Sequence, residues 1–152
     1  ATRKRNNTTG LGKPKPKHVN DLSSQRMKNN NPMKDPEVVM KNFRSHNRGK
    51  SGPERYFEKI FEQLNLDIRY IGDGSLFING KAPDFIVNGT KKLIEIYDST
   101  FSYSGDIRDN LWLEKRKDQL NGYDILFLDC SIFGKAKNFE MAKEKILKFV
   151  AI

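Results

Sequence analysis

The sequence predicts an α/β (α+β) domain, a mixed central β-sheet flanked by helices, carrying an extended basic N-terminal arm. Three observations lead there. Short β-branched and aromatic runs at 83–97 are separated by Asn88-Gly89, a strong hairpin signal because both residues tolerate positive φ. The near-continuous apolar run Ile125-Leu126-Phe127-Leu128 suits a buried central strand, and stretches of helical apolar spacing lie on either side. Charge then divides the chain: residues 1–50 hold thirteen Lys or Arg against three acids, leaving 15 against 16 in residues 51–152, so the net charge of +9 belongs to the front third. We divide the chain into an arm, 1–50, and a folded body, 51–152.

The arm is poor in large apolar residues and rich in Asn, Lys, Pro and Ser, too little to offset ordering entropy, so it is expected to be extended and to bind a polyanion. Lys13-Pro14-Lys15-Pro16-Lys17 reads as a stiff charged spacer of polyproline II character. Further on, Asp35 can cap a short helix with Pro36 at its first position and Val38, Val39 and Phe43 on one side. Arg26, Lys28 and Lys34 suit phosphate contacts, and Asn30 and Asn31 offer donors and acceptors to a minor groove; a generic basic linker is the plainer reading.

In the body, Ser51 or Gly52 caps a helix with Pro53 at its start and Tyr56, Phe57, Ile60, Phe61 and Leu64 on its buried stripe. Glu54 tops that stripe and should point toward the sheet edge, although a first-turn acid also complements the helix dipole. Leu66–Ile71 and Leu76–Asn79 read as strands joined through Gly72-Asp73-Gly74. A helix over about 107–120 carries Ile107, Leu111, Trp112 and Leu120, with Lys115-Arg116-Lys117 as a solvated face or a nucleic-acid contact. The strand at 124–129 and a helix at 136–150, with Phe139, Ala142, Ile146, Phe149 and Val150 inward, complete the body.

Chemistry concentrates in the hairpin. A four-residue loop, 88–91, sets Asp84 opposite Glu95; a two-residue loop makes them diagonal neighbours on the same face; a three-residue loop separates them. Adjacent carboxylates repel unless a cation joins them, and a divalent metal with oxygen ligands is the usual partner, which points to phosphodiester chemistry.

Pro83-Asp84-Phe85 followed by Leu93-Ile94-Glu95 resembles the core of the PD-(D/E)xK nuclease superfamily. Ser51-Gly52-Pro53-Glu54, Arg69 to Ser75, and Gly122-Tyr123 extend the likeness to its very-short-patch-repair-like (EDxHD-type) branch, which includes homing endonucleases of phages and group I introns. The likeness covers about residues 51–133. It implies a restriction-endonuclease-like fold, a metal site at Asp84 and Glu95, and a catalytic role for Glu54. Gln25 to Val39 resembles the nuclease-associated modular DNA-binding motif of homing endonucleases, which implies DNA contact through Arg26, Lys28, Asn30, Asn31 and Lys34.

The chain departs from the family where a lysine is usual, at Tyr97, and where a histidine is usual, at Ser102. The general base or acid is left among Asp98, a migrated basic residue such as Lys115 or Lys117, and metal-activated water. The expectation is a metal-dependent DNA endonuclease using Mg²⁺, with Mn²⁺ able to substitute, acting on double-stranded DNA by nicking one strand per active site, with double-strand cleavage requiring two protomers, as in a homodimer on DNA, or two sequential events. The alternatives are an impaired nuclease fold serving as a DNA- or RNA-binding regulator, and a mismatch-type repair nuclease.

One cysteine, Cys130, excludes an internal disulfide and a four-cysteine zinc site, and its position favours burial. His18 and His46 lie in the arm, far in sequence from the acids, and read as phosphate-facing or exposed rather than catalytic. No phosphate-binding glycine loop, membrane-length apolar run or hydrophobic leader is evident, so a cytoplasmic protein is expected.

Overall fold

The computed structural model describes residues 17–47, 49–100, 102–103 and 106–152. All of the proline-rich spacer before Lys17 lies outside the described residues. Helix α1 (Lys17–Asn29) and helix α2 (Pro36–His46) lie in the arm. The body runs α3 (Gly52–Gln63), β1 (Ile68–Tyr70), β2 (Phe85–Val87), β3 (Lys92–Tyr97), β4 (Ser102–Tyr103), β5 (Asp106–Ile107), α4 (Asn110–Gln119), β6 (Asp124–Asp129), α5 (Cys130–Phe133) and α6 (Phe139–Ala151).

The main sheet has the order β1-β2-β3-β6, with β3 and β6 parallel and the other neighbours antiparallel, so it is mixed as expected. A parallel neighbour requires a crossover, and the segment containing α4 supplies it. Strands β4 and β5 form a separate two-stranded ribbon.

Each face of the sheet is covered. On one, Phe57, Ile60 and Phe61 of α3 and Ala142 and Ile146 of α6 pack on Phe85, Ile94 and Leu128. Phe61 meets Phe85 edge to face at 5.1 Å. Burying side chains of this kind contributes about 1.5–3 kcal/mol each. On the other face, Leu93, Ile71 and Leu120 gather Ile86, Ile125 and Tyr123. The period-two alternation of β2 and β3 therefore serves two cores, with α4 closing the second.

Four elements differ from expectation. The arm is helical rather than extended at 17–29, a stretch free of Gly and Pro whose last turn carries Arg26 and Lys28, which complement the helix dipole. The stretch Leu76–Asn79 forms no strand: Asn79 (φ 49°) and Gly80 (φ 73°) turn the chain back at once, leaving a single bridge between Ile78 and Lys81. Ile107 belongs to β5 and is 60% exposed, because Asp109 starts α4 by capping the Trp112 N–H at 3.0 Å. Leu111 is 78% exposed, since α4 turns Trp112, Arg116 and Leu120 inward instead. The short helix after Asp35 and the inward stripe of α6 form as the sequence predicts.

Candidate active site

The hairpin takes the register of a four-residue loop. Phe85 pairs with Ile94, and Val87 with Lys92, which sets Asp84 directly opposite Glu95 on the sheet face turned toward α4. Asp84 immediately precedes β2, between β1 and β3. Its carbonyl accepts the N–H groups of Ile71 (2.8 Å) and Gly72 (3.1 Å), and its side-chain Oδ2 accepts the Ile96 N–H at 2.8 Å. Backbone donors on both sides thus fix the residue, and the N–H of Ile96 holds its carboxylate.

Glu95 is 3% exposed and is met by Arg116, whose Nε donates to Oε2 at 3.0 Å and whose Nη2 donates to Oε1 at 3.2 Å. The same Nη2 also donates to the Ala82 carbonyl at 3.2 Å, tying α4 to the strand that carries Asp84. Arg116 faces inward because it lies four residues from both Trp112 and Leu120. Lys115 and Lys117 are among the candidates for the general base. Both are exposed, and Lys117 lines a different surface with Asn110, Leu113 and Phe127.

Burial pushes the Asp84 carboxyl up to about 8, with the nearby Glu95 and Glu54 charges adding to the rise while the Ile96 N–H and Arg116 oppose it. Glu95 is also raised by burial, against the pull of Arg116. Among the described residues no three His, Cys, Asp or Glu side chains cluster as a metal-binding group. Mg²⁺ commonly takes only one or two carboxylates and completes its shell with water and phosphate oxygens, so the Asp84–Glu95 donor set fits it. A cation on Glu95 competes with Arg116 for the same oxygens.

Glu54 opens α3 within a capping box: its Oε2 accepts the Ser51 N–H at 2.8 Å while Ser51 Oγ accepts the Glu54 N–H. Glu54 lines an open groove of about 630 Å³ together with Asp84, Tyr70, Gly72 and Ala82. Tyr70 lines the same groove, and burial followed by the charge of Glu54 raises its phenol well above the ordinary range. The three acids read from the sequence therefore converge in part. Asp84 and Glu95 are direct neighbours, and Glu54 lines the same groove as Asp84.

The opposite wall of that groove comes from the arm. Met33, Val39, Asn42, Phe43, His46 and Asn47 line it. Phe43 packs edge to face on Phe77 at 5.2 Å, Arg44 donates to the Gly74 carbonyl at 3.3 Å, and Asn47 donates to the Gly72 carbonyl at 3.4 Å. Further along the arm, Arg26, Lys28, Asn30 and Lys34 are exposed. Lys34 Nζ donates to the Lys28 carbonyl, and the Asn31 side chain accepts the Met33 N–H, so that Asn31 caps a short turn.

Tyr97, at the place where a lysine is usual, stacks on Trp112 at 5.9 Å and meets Phe127 edge to face. Asp98 is turned to Thr100, which donates to it through both N–H and hydroxyl. Ser102 lies in β4. Asp129, a buried acid the sequence analysis did not single out, starts α5: its Oδ1 accepts the Ser131 N–H and hydroxyl and the Ser99 N–H. Burial raises the Asp129 carboxyl, and these bonds outweigh it, holding the group below the ordinary range. Cys130 is half-buried, and burial raises its thiol.

No protein-family profile matches the chain, and no curated protein matches it. Among solved structures it is similar to one described as the catalytic domain of the homing endonuclease I-Bth0305I, at 17% identity and a TM-score of 0.48, over 66% of this chain and 94% of that one. Among the described residues no helix is long and apolar enough to cross a membrane.

Proposed function

We propose that this chain is a metal-dependent DNA endonuclease of the homing type, with Asp84 and Glu95 as its metal-holding pair. The observation that carries the reading is the cross-strand pair itself: a buried Glu95 and a half-buried Asp84, fixed by separate donors, with Asp84 opening onto a groove walled by a basic arm. Mg²⁺, or Mn²⁺ in its place, would supply polarisation of the scissile phosphate and an acidified water. The chain's own residues do the positioning. The Ile96 N–H holds Asp84, Arg116 holds Glu95 and balances its charge, and Glu54, anchored by the Ser51 N–H, faces the same groove.

Arg26, Lys28 and Lys34 would grip the phosphates of double-stranded DNA while Asn30 and the free amide of Asn31 face its bases. A single such site nicks one strand, so a double-strand break takes two protomers or two events. The test is cleavage of a supercoiled plasmid with Mg²⁺, Mn²⁺ or EDTA. The expected result is metal-dependent nicking that Asp84→Ala abolishes while DNA affinity is kept. Cleavage retained by Asp84→Ala overturns the mechanism.

The packing of Tyr97 against Trp112 and Phe127 favours one second reading, a nuclease fold kept for nucleic-acid binding alone. Tight DNA binding at low salt with no product under any metal would establish it, and deletion of the arm would then remove all activity.

A further inference from the structure

His46 stands in the arm by sequence but on the wall of the acid groove by structure. Its place is set by a short chain of contacts. The next residue, Asn47, donates to the Gly72 carbonyl, and the Gly72 N–H donates to the Asp84 carbonyl. Phe43 and Arg44, on the same helix, lock α2 to the loop at 74–77.

The ring is also oriented. His46 Nδ1 lies 2.8 Å from the Asn42 carbonyl oxygen, which can only accept, and 3.0 Å from Ser45 Oγ, which itself donates to that carbonyl; the tautomer with the hydrogen on Nδ1 satisfies both contacts. In the neutral ring this leaves Nε2 with its lone pair. The imidazole is solvent-exposed, so that lone pair can reach a bound water.

Competing proton acceptors around the acids are engaged or protonated. Asp84 accepts from Ile96, Glu95 is forked by Arg116, Glu54 is held by Ser51, and Asp98 is held by Thr100. The Tyr70 phenol stays protonated beside Glu54, and Tyr97 is packed against Trp112.

We infer that His46, delivered by helix α2 of the arm, is the general base of phosphodiester cleavage at the Asp84–Glu95 site, an inference that rests on the nuclease reading. Nε2 takes a proton from the attacking water as the water oxygen bonds to phosphorus. The bond from phosphorus to the bridging oxygen breaks, and that oxygen leaves with the bonding pair and takes a proton from solvent. The arm is then part of the catalytic machinery as well as a grip on DNA.

The experiment compares the full chain with His46→Ala, His46→Asn and Asp84→Ala in single-turnover nicking at saturating enzyme, with and without added imidazole, alongside DNA affinity measured in EDTA. An asparagine amide can keep the bond to the Asn42 carbonyl but has no basic nitrogen, so it separates chemistry from packing. The expected result is a loss of about a hundredfold or more in rate for both His46 variants. DNA affinity is unchanged, and imidazole restores His46→Ala but not Asp84→Ala. If the native chain cleaves through Asp84 and His46→Ala keeps its rate, the base assignment falls and the nuclease reading stands. A slow His46→Ala that imidazole does not restore overturns it as well. A native chain that cleaves under no metal overturns both.

Discussion

Arg116 closes over Glu95 with two prongs of its guanidinium, at 3.0 and 3.2 Å, and reaches past it to the carbonyl of Ala82. Both partners are largely shielded from water, so the geometry neutralises a charge that the sheet could not otherwise hold.

Removing that cation should therefore be costly. Arg116→Ala is expected to lose about 3–5 kcal/mol, because it strands a buried carboxylate. Arg116→Lys keeps the charge but not the fork and should lose less. Urea denaturation in EDTA measures both. Added Mg²⁺ should recover more stability for Arg116→Ala than for the native chain, since the ion then meets Glu95 without a competitor; equal recovery in the two would argue against a shared site.

The raised carboxyl of Asp84 sets a pH dependence. Between its ordinary value and about 8 the folded chain holds a proton that the unfolded chain has lost. Stability from this group is complete at low pH and is lost as pH rises toward 8. Metal-free protein should thus be less stable at pH 8 than at pH 5 as far as Asp84 is concerned. Asp84→Asn should flatten that slope and gain at least ~1 kcal/mol at pH 8. Denaturation midpoints across pH 5–9 in EDTA decide it, and an unchanged slope would mean that the acid is already ionised.

Docking of α2 hangs on few contacts. Phe43→Ala removes the ring that meets Phe77, and hydrogen exchange across 36–46 should speed up while the core at Phe57 and Phe61 stays protected. Gly74→Ala should act in the same way. Gly74 has φ +85°, and an added Cβ would lie 2.9 Å from the Phe77 ring and 3.1 Å from that of Phe43.

Glu54 has two roles to separate. Ser51→Ala, which removes the cap, should cost about 1 kcal/mol. Glu54→Gln can still reach the Ser51 N–H, so its melting temperature should change little. A fall in nicking by Glu54→Gln at unchanged melting temperature assigns the carboxylate to the reaction; unchanged nicking leaves it as a cap.

The sheet was legible because its signals are local. The Asn88-Gly89 turn and the alternation around it define the hairpin, and of the three loop lengths considered the four-residue one is adopted. Arg116 was not legible, because a basic triplet looks like a solvated face; the clue was its four-residue spacing from Trp112 and Leu120, which makes it part of the inward stripe. The place of His46 could not be read at all. It depends on Phe43 finding Phe77 and on Asn47 finding Gly72, pairings more than twenty residues apart that no periodicity encodes.

On the proposed nuclease reading, the anchoring of α2 to the 72–77 loop would turn the arm into a ruler. A slack tether would let an arm-bound segment of duplex meet the acids at many offsets, whereas a helix pinned at Phe43, Arg44 and Asn47 would hold one spacing between the place of grip and the place of cutting. Lengthening the chain between α2 and α3 should move no cut while the pin holds, and loosening the pin should blur the cut over neighbouring positions.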